Sequence, residues 1–202
     1  MGLRHNPRVV RPCYLVRHGQ SEWNVLRLTQ GQTMAPRLTE LGRDQARYAA
    51  ELIRADLGPG VSVDVVRSSD LVRARETAEV LVERVGGRLV LDERLREQHL
   101  GDLEGRTYVE TWSAAERHDW SDPHLPVAGG ESPQQLSDRM ADAVDSLDRS
   151  TITVLVSHGD AIRAAVAHLT RHAVGDAPWV EVPNGAVARV GDHRVSWLTV
   201  GA

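Results

Sequence analysis

The chain has 202 residues, of which 41% are hydrophobic and 26% are charged, and its formal net charge is -4 at pH 7. These values predict a single globular domain over residues 1–202, and they exclude a disordered chain and the basic surface of a nucleic-acid-binding protein. No apolar run is long enough to cross a bilayer, and residues 1–12 lack the apolar centre of a secretory signal, so we expect no membrane partner.

The first half of the chain alternates strand and helix signals. Glycine and proline pairs or triplets separate the signals and set the ends of the helices. In chain order, the pattern predicts a buried strand at Cys13–Val16, a helix capped by Thr39 and running to about Leu57, a strand at Val63–Val66, a helix capped by Ser69 or Asp70 and running to Val85, and a short strand at Leu89–Leu91.

The second half begins with an irregular stretch at about residues 100–130, which is typical of a lid or a specificity insert. In chain order, the remaining pattern predicts a helix that starts at Ser132 and reaches Leu147, an apolar central strand at Thr151–Val156, a helix at Asp160–Thr170, and two late strands at Ala186–Val190 and Val195–Val200. Alternation of strands and helices predicts an α/β fold around a mainly parallel sheet.

Polar side chains follow the ends of the predicted strands. Arg17 and His18 come directly after the first strand, and Arg73 follows the second. Glu97 lies beyond the third strand, and His158 comes after the apolar central strand. Because the carboxyl ends of parallel strands share one edge of a sheet, we expect these five side chains to meet in one pocket.

Two residue counts narrow the chemistry of such a pocket. All 24 basic residues are arginine, which excludes the phosphate-binding lysine of Walker motifs and any Schiff base on lysine. The single cysteine, Cys13, cannot form an internal disulfide, which fits a cytoplasmic protein. An arginine fork suits a phosphate or a carboxylate, and a histidine can act as a nucleophile or a base near neutral pH.

The segment Arg17-His18-Gly19-Gln20-Ser21-Glu22-Trp23-Asn24 resembles the signature of the histidine phosphatase superfamily, also called the phosphoglycerate mutase-like family. The resemblance implies a three-layer α/β/α sandwich around a mainly parallel sheet. Further matches follow in the same order, at Gln30-Gly31, Leu38-Thr39-Glu40-Leu41-Gly42, Ser68-Ser69-Asp70-Leu71 with Arg73, Leu95-Arg96-Glu97, Gly130-Glu131-Ser132 and Val156-Ser157-His158-Gly159.

The resemblance also implies roles for the residues of the pocket. His18 attacks phosphorus to give a phosphohistidine, and Glu97 serves as general acid and then general base. Two arginines already supply positive charge and would repel a cation, so we expect neither a metal ion nor another cofactor. The charge cage is expected from Arg17, Arg73, Asn24 and a protonated His158, and the substrate-binding set from Ser21, Asn24, Gln30, Gly31 and Gly159.

Each of these residues has a structural alternative when it is taken alone. His18 and His158 could be histidines that only stabilise the ends of strands, and Arg73 could form a surface ion pair with Asp70 or Glu76. Glu97 is one of several carboxylates in its neighbourhood, and any of them could be solvated. Its spacing to the glycine at position 101 favours Glu97 as the functional one.

Three functions remain open from the sequence. The first is a metal-independent phosphatase for a small phosphorylated metabolite, the second a cofactor-dependent phosphoglycerate mutase, and the third an inactive module that binds a phospho-ligand or a protein. Gln30 stands where mutases of the family usually carry a small hydroxyl residue, and the stretch Gly101–Thr151 is short for a mutase, so the phosphatase is favoured.

The substrate and the oligomeric state are not fixed by the sequence, and a homo-oligomer is left open. The run from Glu97 to Asp102 resembles bacterial sugar-phosphate and glucosyl-phosphoglycerate phosphatases of the family, and alpha-ribazole phosphatases share the size and pattern. Selectivity is expected from the insert around Tyr108 to Leu125. Four basic residues there could meet anionic groups of a substrate: Arg106, Arg117, His118 and His124.

Overall fold

The structure is a computed structural model that describes residues 11–191 and 194–199. Its strands are β1 (Cys13–Arg17), β2 (Val65–Ser68), β3 (Arg88–Leu91), β4 (Thr153–Ser157), β5 (Val187–Gly191) and β6 (Arg194–Trp197). Its helices are α1 (Glu22–Leu26), α2 (Glu40–Leu57), α3 (Val72–Val85), α4 (Tyr108–Ala115), α5 (Pro133–Asp145) and α6 (Gly159–Leu169), with short 3-10 turns at Glu93–Leu95 and Gly101–Leu103.

The six strands form one sheet in the order β3-β2-β4-β1-β5-β6. The pairs β2–β3, β2–β4 and β1–β4 are parallel, whereas β5 is antiparallel to both of its neighbours. The predicted α/β fold with a mainly parallel sheet is therefore confirmed. The register of β1 and β4 sets Arg17 opposite Ser157, so both strands end at the same edge of the sheet.

Alternate residues of the central strands pack into two separate cores, one on each face of the sheet. Tyr14, Val16 and Val154 belong to the core that α2 and α3 cover. Leu15 and Leu155 belong to the core on the other face, which α5 and α6 cover. Helices on both faces explain why β4 is buried along its whole length, and they confirm the three-layer arrangement.

Most predicted elements are found within a few residues of their expected ends, with two kinds of difference. The second strand lies two residues later than expected, and α3 begins after Leu71 rather than after a capping Ser69 or Asp70. The Asp70 carboxylate instead binds the guanidinium of Arg96, and the Ser69 hydroxyl accepts a hydrogen bond from the Leu71 N–H at 3.3 Å. The last predicted strand extended to Val200, which lies outside the described residues.

Two helices were not expected from the sequence. Helix α1 has five residues and no buried side chain, so it carries no apolar periodicity that could reveal it. Helix α4 lies inside the stretch that was expected to be irregular. Its start had a signal, since Thr107 and Glu110 form a reciprocal capping box. Within the part of the chain that the structure describes, no helix has the length and apolar character needed to cross a membrane.

A buried carboxylate joins α3 to the loop that leads into α2. The Glu76 side chain accepts hydrogen bonds from the Leu38 backbone N–H at 2.9 Å and from Arg37 Nε at 2.8 Å. Arg43 adds a weaker ion pair at 3.6 Å. This cluster fixes the path of the chain beside the edge of the sheet where β1 and β4 end.

We therefore expect Glu76→Ala to lower the free energy of unfolding by about 1–3 kcal/mol, because it leaves a buried backbone N–H without an acceptor. Urea denaturation measures the change. Glu79→Ala is the matched control, since this exposed residue of the same helix makes only a 3.6 Å ion pair with Arg75 and should change stability by less than about 0.5 kcal/mol. Equal effects of the two substitutions would contradict the structural role of Glu76.

Candidate active site

Two histidines meet at the carboxyl edge of the sheet, one after β1 and one after β4. The ring centroids of His18 and His158 are 5.0 Å apart, with the planes tilted by 58°. Both side chains are buried. The structure thus brings together two side chains that are 140 residues apart in the sequence, because β1 and β4 are neighbours in the sheet.

The local backbone fixes the tautomer of His18. Its Nδ1 lies 2.7 Å from the carbonyl oxygen of Gly19, and a carbonyl can only accept a hydrogen bond, so Nδ1 carries the proton. Nε2 is then unprotonated and keeps its lone pair. Gly19 allows this segment to pack closely against α2, since a Cβ there would lie 2.1 Å from the carbonyl oxygen of Gly42.

Two arginines lie beside His18, Arg73 buried and Arg17 partly buried, and backbone carbonyls hold both of them. Arg73 donates from its two Nη atoms to the carbonyls of Thr33, at 3.0 Å, and Gly31, at 2.8 Å. Arg17 donates to the carbonyl of Val182. The Nε of each guanidinium is buried and has no hydrogen-bond partner among the described residues, and both arginines line the same cavity.

The electrostatics of this cluster keep both imidazoles neutral. Burial, followed by the charges of Arg73 and Arg17, lowers the pKa of His18 well below its usual value of 6.5. Burial and Arg73 lower the pKa of His158 in the same way. Burial also lowers the pKa of Arg73 to about 10, which still leaves it charged at neutral pH. These shifts apply without a bound anion, so the protonated His158 expected in the charge cage around a phosphate stays a prediction.

His158 is oriented by a serine that the sequence analysis did not assign to the site. Its Nε2 lies 2.9 Å from the Ser69 hydroxyl oxygen, and its Nδ1 is buried without a hydrogen-bond partner among the described residues. Ser69 follows β2, the strand on the other side of β4. The motif Ser68-Ser69 was visible in the sequence, but the contact depends on the strand order.

Glu97 lies against the N-terminus of α6. Its Oε1 accepts hydrogen bonds from the N–H groups of Gln98 and Ala161, each at 3.0 Å, and its Oε2 accepts one from Asp160 at 3.3 Å. Burial, followed by the negative charge of Asp160, raises the pKa of Glu97 above its usual 4.5 despite these donors. The carboxyl group thus keeps its proton to higher pH than an exposed glutamate does.

The expected substrate-binding residues lie at different depths. Asn24 and Gln30 line the cavity, whereas Ser21 is buried behind them. The Ser21 hydroxyl donates to Gln30 Oε1 at 2.7 Å, and the Ser21 N–H donates to Asn24 Oδ1 at 2.9 Å. Ser21 therefore orients two amide side chains and leaves the Nε2 of Gln30 for other partners.

The two glycines of the predicted set adjoin the charged groups. Gly31 lines the cavity at φ +45° and its carbonyl accepts from Arg73. Gly159 is the first residue of α6, where a Cβ would lie 3.7 Å from both the Arg17 guanidinium carbon and Glu97 Oε2. A larger residue at position 159 would therefore crowd the charged groups.

A cavity of about 220 Å³ lies beside His18, which is enough for a phosphate and a small organic group. Of the five catalytic residues expected from the sequence, Arg17, His18, Arg73 and Glu97 line this cavity and His158 does not. Asp160, which was not expected, also lines it. The four basic residues expected in the insert do not line the cavity. Its outer part is lined by Thr29, Leu100, Tyr108, Thr111, Trp112 and Asp160.

Comparison with known proteins agrees with this arrangement. The family model of the histidine phosphatase superfamily, branch 1, matches residues 13–200. The chain belongs to this superfamily. This member is 34% identical over 197 residues to the probable phosphoglycerate mutase GpmB of Photorhabdus laumondii, and the match covers 93% of this chain and 88% of the relative.

Solved structures of the superfamily share the fold. A mycobacterial glucosyl-3-phosphoglycerate phosphatase is 35% identical, with a TM-score of 0.73 and 89% of each chain covered. The protein YhfR of Bacillus stearothermophilus is 29% identical, with a TM-score of 0.75 over 93% of this chain and 95% of YhfR. The similar proteins therefore include a named phosphatase and proteins named as probable mutases.

The pKa shifts predict that His18 and His158 stay neutral as the pH falls through 6.5, because burial and the two arginines disfavour the imidazolium form. NMR of ¹⁵N-labelled histidine rings measures this, with His18→Asn and His158→Asn to assign the signals. We expect His18 to show the tautomer with a proton on Nδ1. Protonation of either ring at or above pH 6.5 would contradict the electrostatic account.

Proposed function

We propose that this protein is a metal-independent phosphatase that hydrolyses a small phosphate monoester through a phosphohistidine on His18. The observation that supports this most strongly is the orientation of His18, whose Nδ1 proton is held by the Gly19 carbonyl so that Nε2 is free to attack. The same cavity is lined by the two arginines and by a glutamate with a raised pKa. This is the combination that an acid-assisted displacement at phosphorus needs.

In the first step, His18 Nε2 attacks phosphorus, and the N–P bond forms as the bond from phosphorus to the ester oxygen breaks. The proton of Glu97 moves to the leaving oxygen, so the alcohol departs neutral. Without this proton an alkoxide would have to leave, which is slow for poor leaving groups. The raised pKa of Glu97 keeps the acid form available for this transfer.

In the second step, Glu97 is a carboxylate and accepts a proton from a water molecule that attacks the phosphohistidine. The N–P bond breaks, inorganic phosphate is released, and the electron pair returns to His18 Nε2. Glu97 regains its proton and His18 regains its starting tautomer. Both steps use the same glutamate at the same cavity, first as acid and then as base.

Charge on the transferring phosphoryl group would be stabilised by Arg17 and Arg73, whose guanidinium groups are held in place before the substrate arrives. A bound phosphate would raise the proton affinity of His158, whose ring centroid lies 5.0 Å from that of His18. The amide of Gln30 offers one further donor. Two guanidinium groups supply the positive charge that other phosphatases take from metal ions.

A phosphoglycerate mutase is the second candidate, and the observation that favours it is the identity of about one third to proteins named as probable phosphoglycerate mutases. A mutase must protect its phosphohistidine from water and return the phosphoryl group to a glycerate. Release of inorganic phosphate from 3-phosphoglycerate supports the phosphatase, whereas formation of 2-phosphoglycerate with 2,3-bisphosphoglycerate present supports the mutase.

Removing the nucleophile tests the enzyme assignment. We expect the wild-type protein to hydrolyse p-nitrophenyl phosphate in EDTA, and His18→Ala to lower kcat by at least about 1,000-fold, because no other group in the cavity replaces the imidazole. The exposed His172 lies outside the cavity, and His172→Ala is the matched control. Absence of turnover on any monoester would favour a binding module.

Replacing the acid tests the role of Glu97. We expect Glu97→Gln to lower kcat/KM far more for an alkyl phosphate than for p-nitrophenyl phosphate, because nitrophenolate leaves without a proton. For the alkyl ester, wild-type kcat/KM should fall as the pH rises past the pKa of Glu97, which lies above 4.5. The Glu97→Gln variant should lack this decrease.

The phosphate of the substrate itself titrates near pH 6 and changes kcat/KM in the same way for both proteins. The difference between the pH profiles of the wild-type protein and Glu97→Gln therefore gives the contribution of Glu97. Equal losses on the two esters, with unchanged pH profiles, would exclude Glu97 as the general acid.

A further inference from the structure

A second carboxylate, Asp160, lines the cavity beside Glu97. It lies in the first turn of α6, and its N–H donates to Glu97 Oε2 at 3.3 Å. About half of its side chain, 47%, remains exposed. Asp160 raises the pKa of Glu97, but the mechanism proposed above gives it no contact with the substrate.

Positive charge at the cavity is confined to the phosphate end. Among the residues that the structure describes, the lining cations are Arg17 and Arg73, and both adjoin His18. The basic residues of the insert do not line the cavity, nor does Arg27, which lies over the ring of Trp112 at 6.0 Å. A phosphate therefore uses the cations that line the cavity and leaves none for a second anion.

A further cation, Arg163, pairs with Asp160 and is already engaged. Its Nη1 binds Asp160 Oδ1 at 2.7 Å, its Nε donates to the carbonyl of Val180 at 2.9 Å, and its guanidinium carbon lies 3.9 Å from the ring centre of Trp179. These contacts hold the Asp160 carboxylate in one orientation beside Glu97. A substrate carboxylate would therefore compete with Asp160 for Arg163.

The rest of the outer wall is uncharged. Tyr108 and Trp112 of α4 present aromatic rings with centroids 6.0 Å apart, and the Tyr108 hydroxyl lies 3.4 Å from the amide nitrogen of Asn24. Leu100 and Thr111 complete this side. Such a wall suits the face of a ring or a chain of carbon atoms with hydroxyl groups, which could donate to Asp160.

We propose that this protein selects phosphate monoesters of uncharged alcohols over esters that carry a carboxylate near the phosphate, and that Asp160 makes the selection. The proposal rests on the phosphatase function above. A hydroxyl group of the alcohol donates to the Asp160 carboxylate, whereas a carboxylate in its place meets the negative member of the Asp160–Arg163 ion pair, which is the member that lines the cavity. Placing like charges together in a partly enclosed site is unfavourable, so binding of the acid is weakened.

Two esters that differ at one group test this selection. Glycerol 3-phosphate and 3-phosphoglycerate differ in having a hydroxymethyl group or a carboxylate at the far carbon. We expect wild-type kcat/KM to favour glycerol 3-phosphate by about tenfold or more. Asp160→Asn should reduce this ratio by about fivefold or more, and Asp160→Glu should preserve most of it, because the charge is kept.

The ratio of kcat/KM for the two esters separates the effect of Asp160 on substrate selection from its effect on the chemical step. Asp160 also raises the pKa of Glu97, so its loss changes the chemical step, but that change affects both esters alike and cancels in the ratio. Asp122→Asn is the matched control, because this exposed aspartate of the insert does not line the cavity. It should leave the ratio unchanged.

Binding of the two esters to His18→Ala extends the test to a variant that cannot hydrolyse them. Calorimetry with this variant should give a lower dissociation constant for glycerol 3-phosphate than for 3-phosphoglycerate, and adding Asp160→Asn should bring the two closer. If the wild-type protein hydrolyses neither ester but the difference in dissociation constant is found, the phosphatase proposal is overturned and the selection by Asp160 is not. Preference for 3-phosphoglycerate, or an unchanged ratio in Asp160→Asn, would overturn the selection by Asp160.

Discussion

The site depends on the burial of two guanidinium groups beside two imidazoles at one edge of a parallel sheet. Burial of a cation is costly unless acceptors surround it, and here three backbone carbonyls from two loops accept from Arg17 and Arg73. Burial first, and then the same two charges, lower the pKa values of His18 and His158. The arginines thus add to the effect of burial in keeping the nucleophile neutral, and an entering phosphate relieves the repulsion.

The negative groups of the site are arranged around the N-terminus of α6. Three backbone N–H groups hold the Glu97 carboxyl, and burial together with Asp160 keeps its proton affinity high. The loop that carries Glu97 is fixed from behind by Arg139, which donates to the carbonyls of Arg94 and Arg96 at 2.8 Å and pairs with Glu131. Position and proton affinity of the acid are therefore set by different parts of the chain.

Different elements of the fold form the phosphate end of the cavity and its outer wall. The phosphate end is built from the loops that follow strands of the sheet, whereas the outer wall comes largely from α4 and from the first turn of α6. Helix α4 lies outside both cores, and none of its residues is buried. Residues of this wall can change with little effect on the packing of the sheet, which suits a family with a common site and varied substrates.

The sequence by itself determined the alternation of strands and helices, the sheet class and the motifs that carry Arg17, His18, Arg73, Glu97 and His158, because periodicity and local spacing encode these directly. Only the tertiary structure decided the neutral state of His158, its contact with Ser69, and the position of Asp160 in the cavity wall. Those features depend on strand order and burial, and on charges contributed by distant segments, which no local pattern in the chain records.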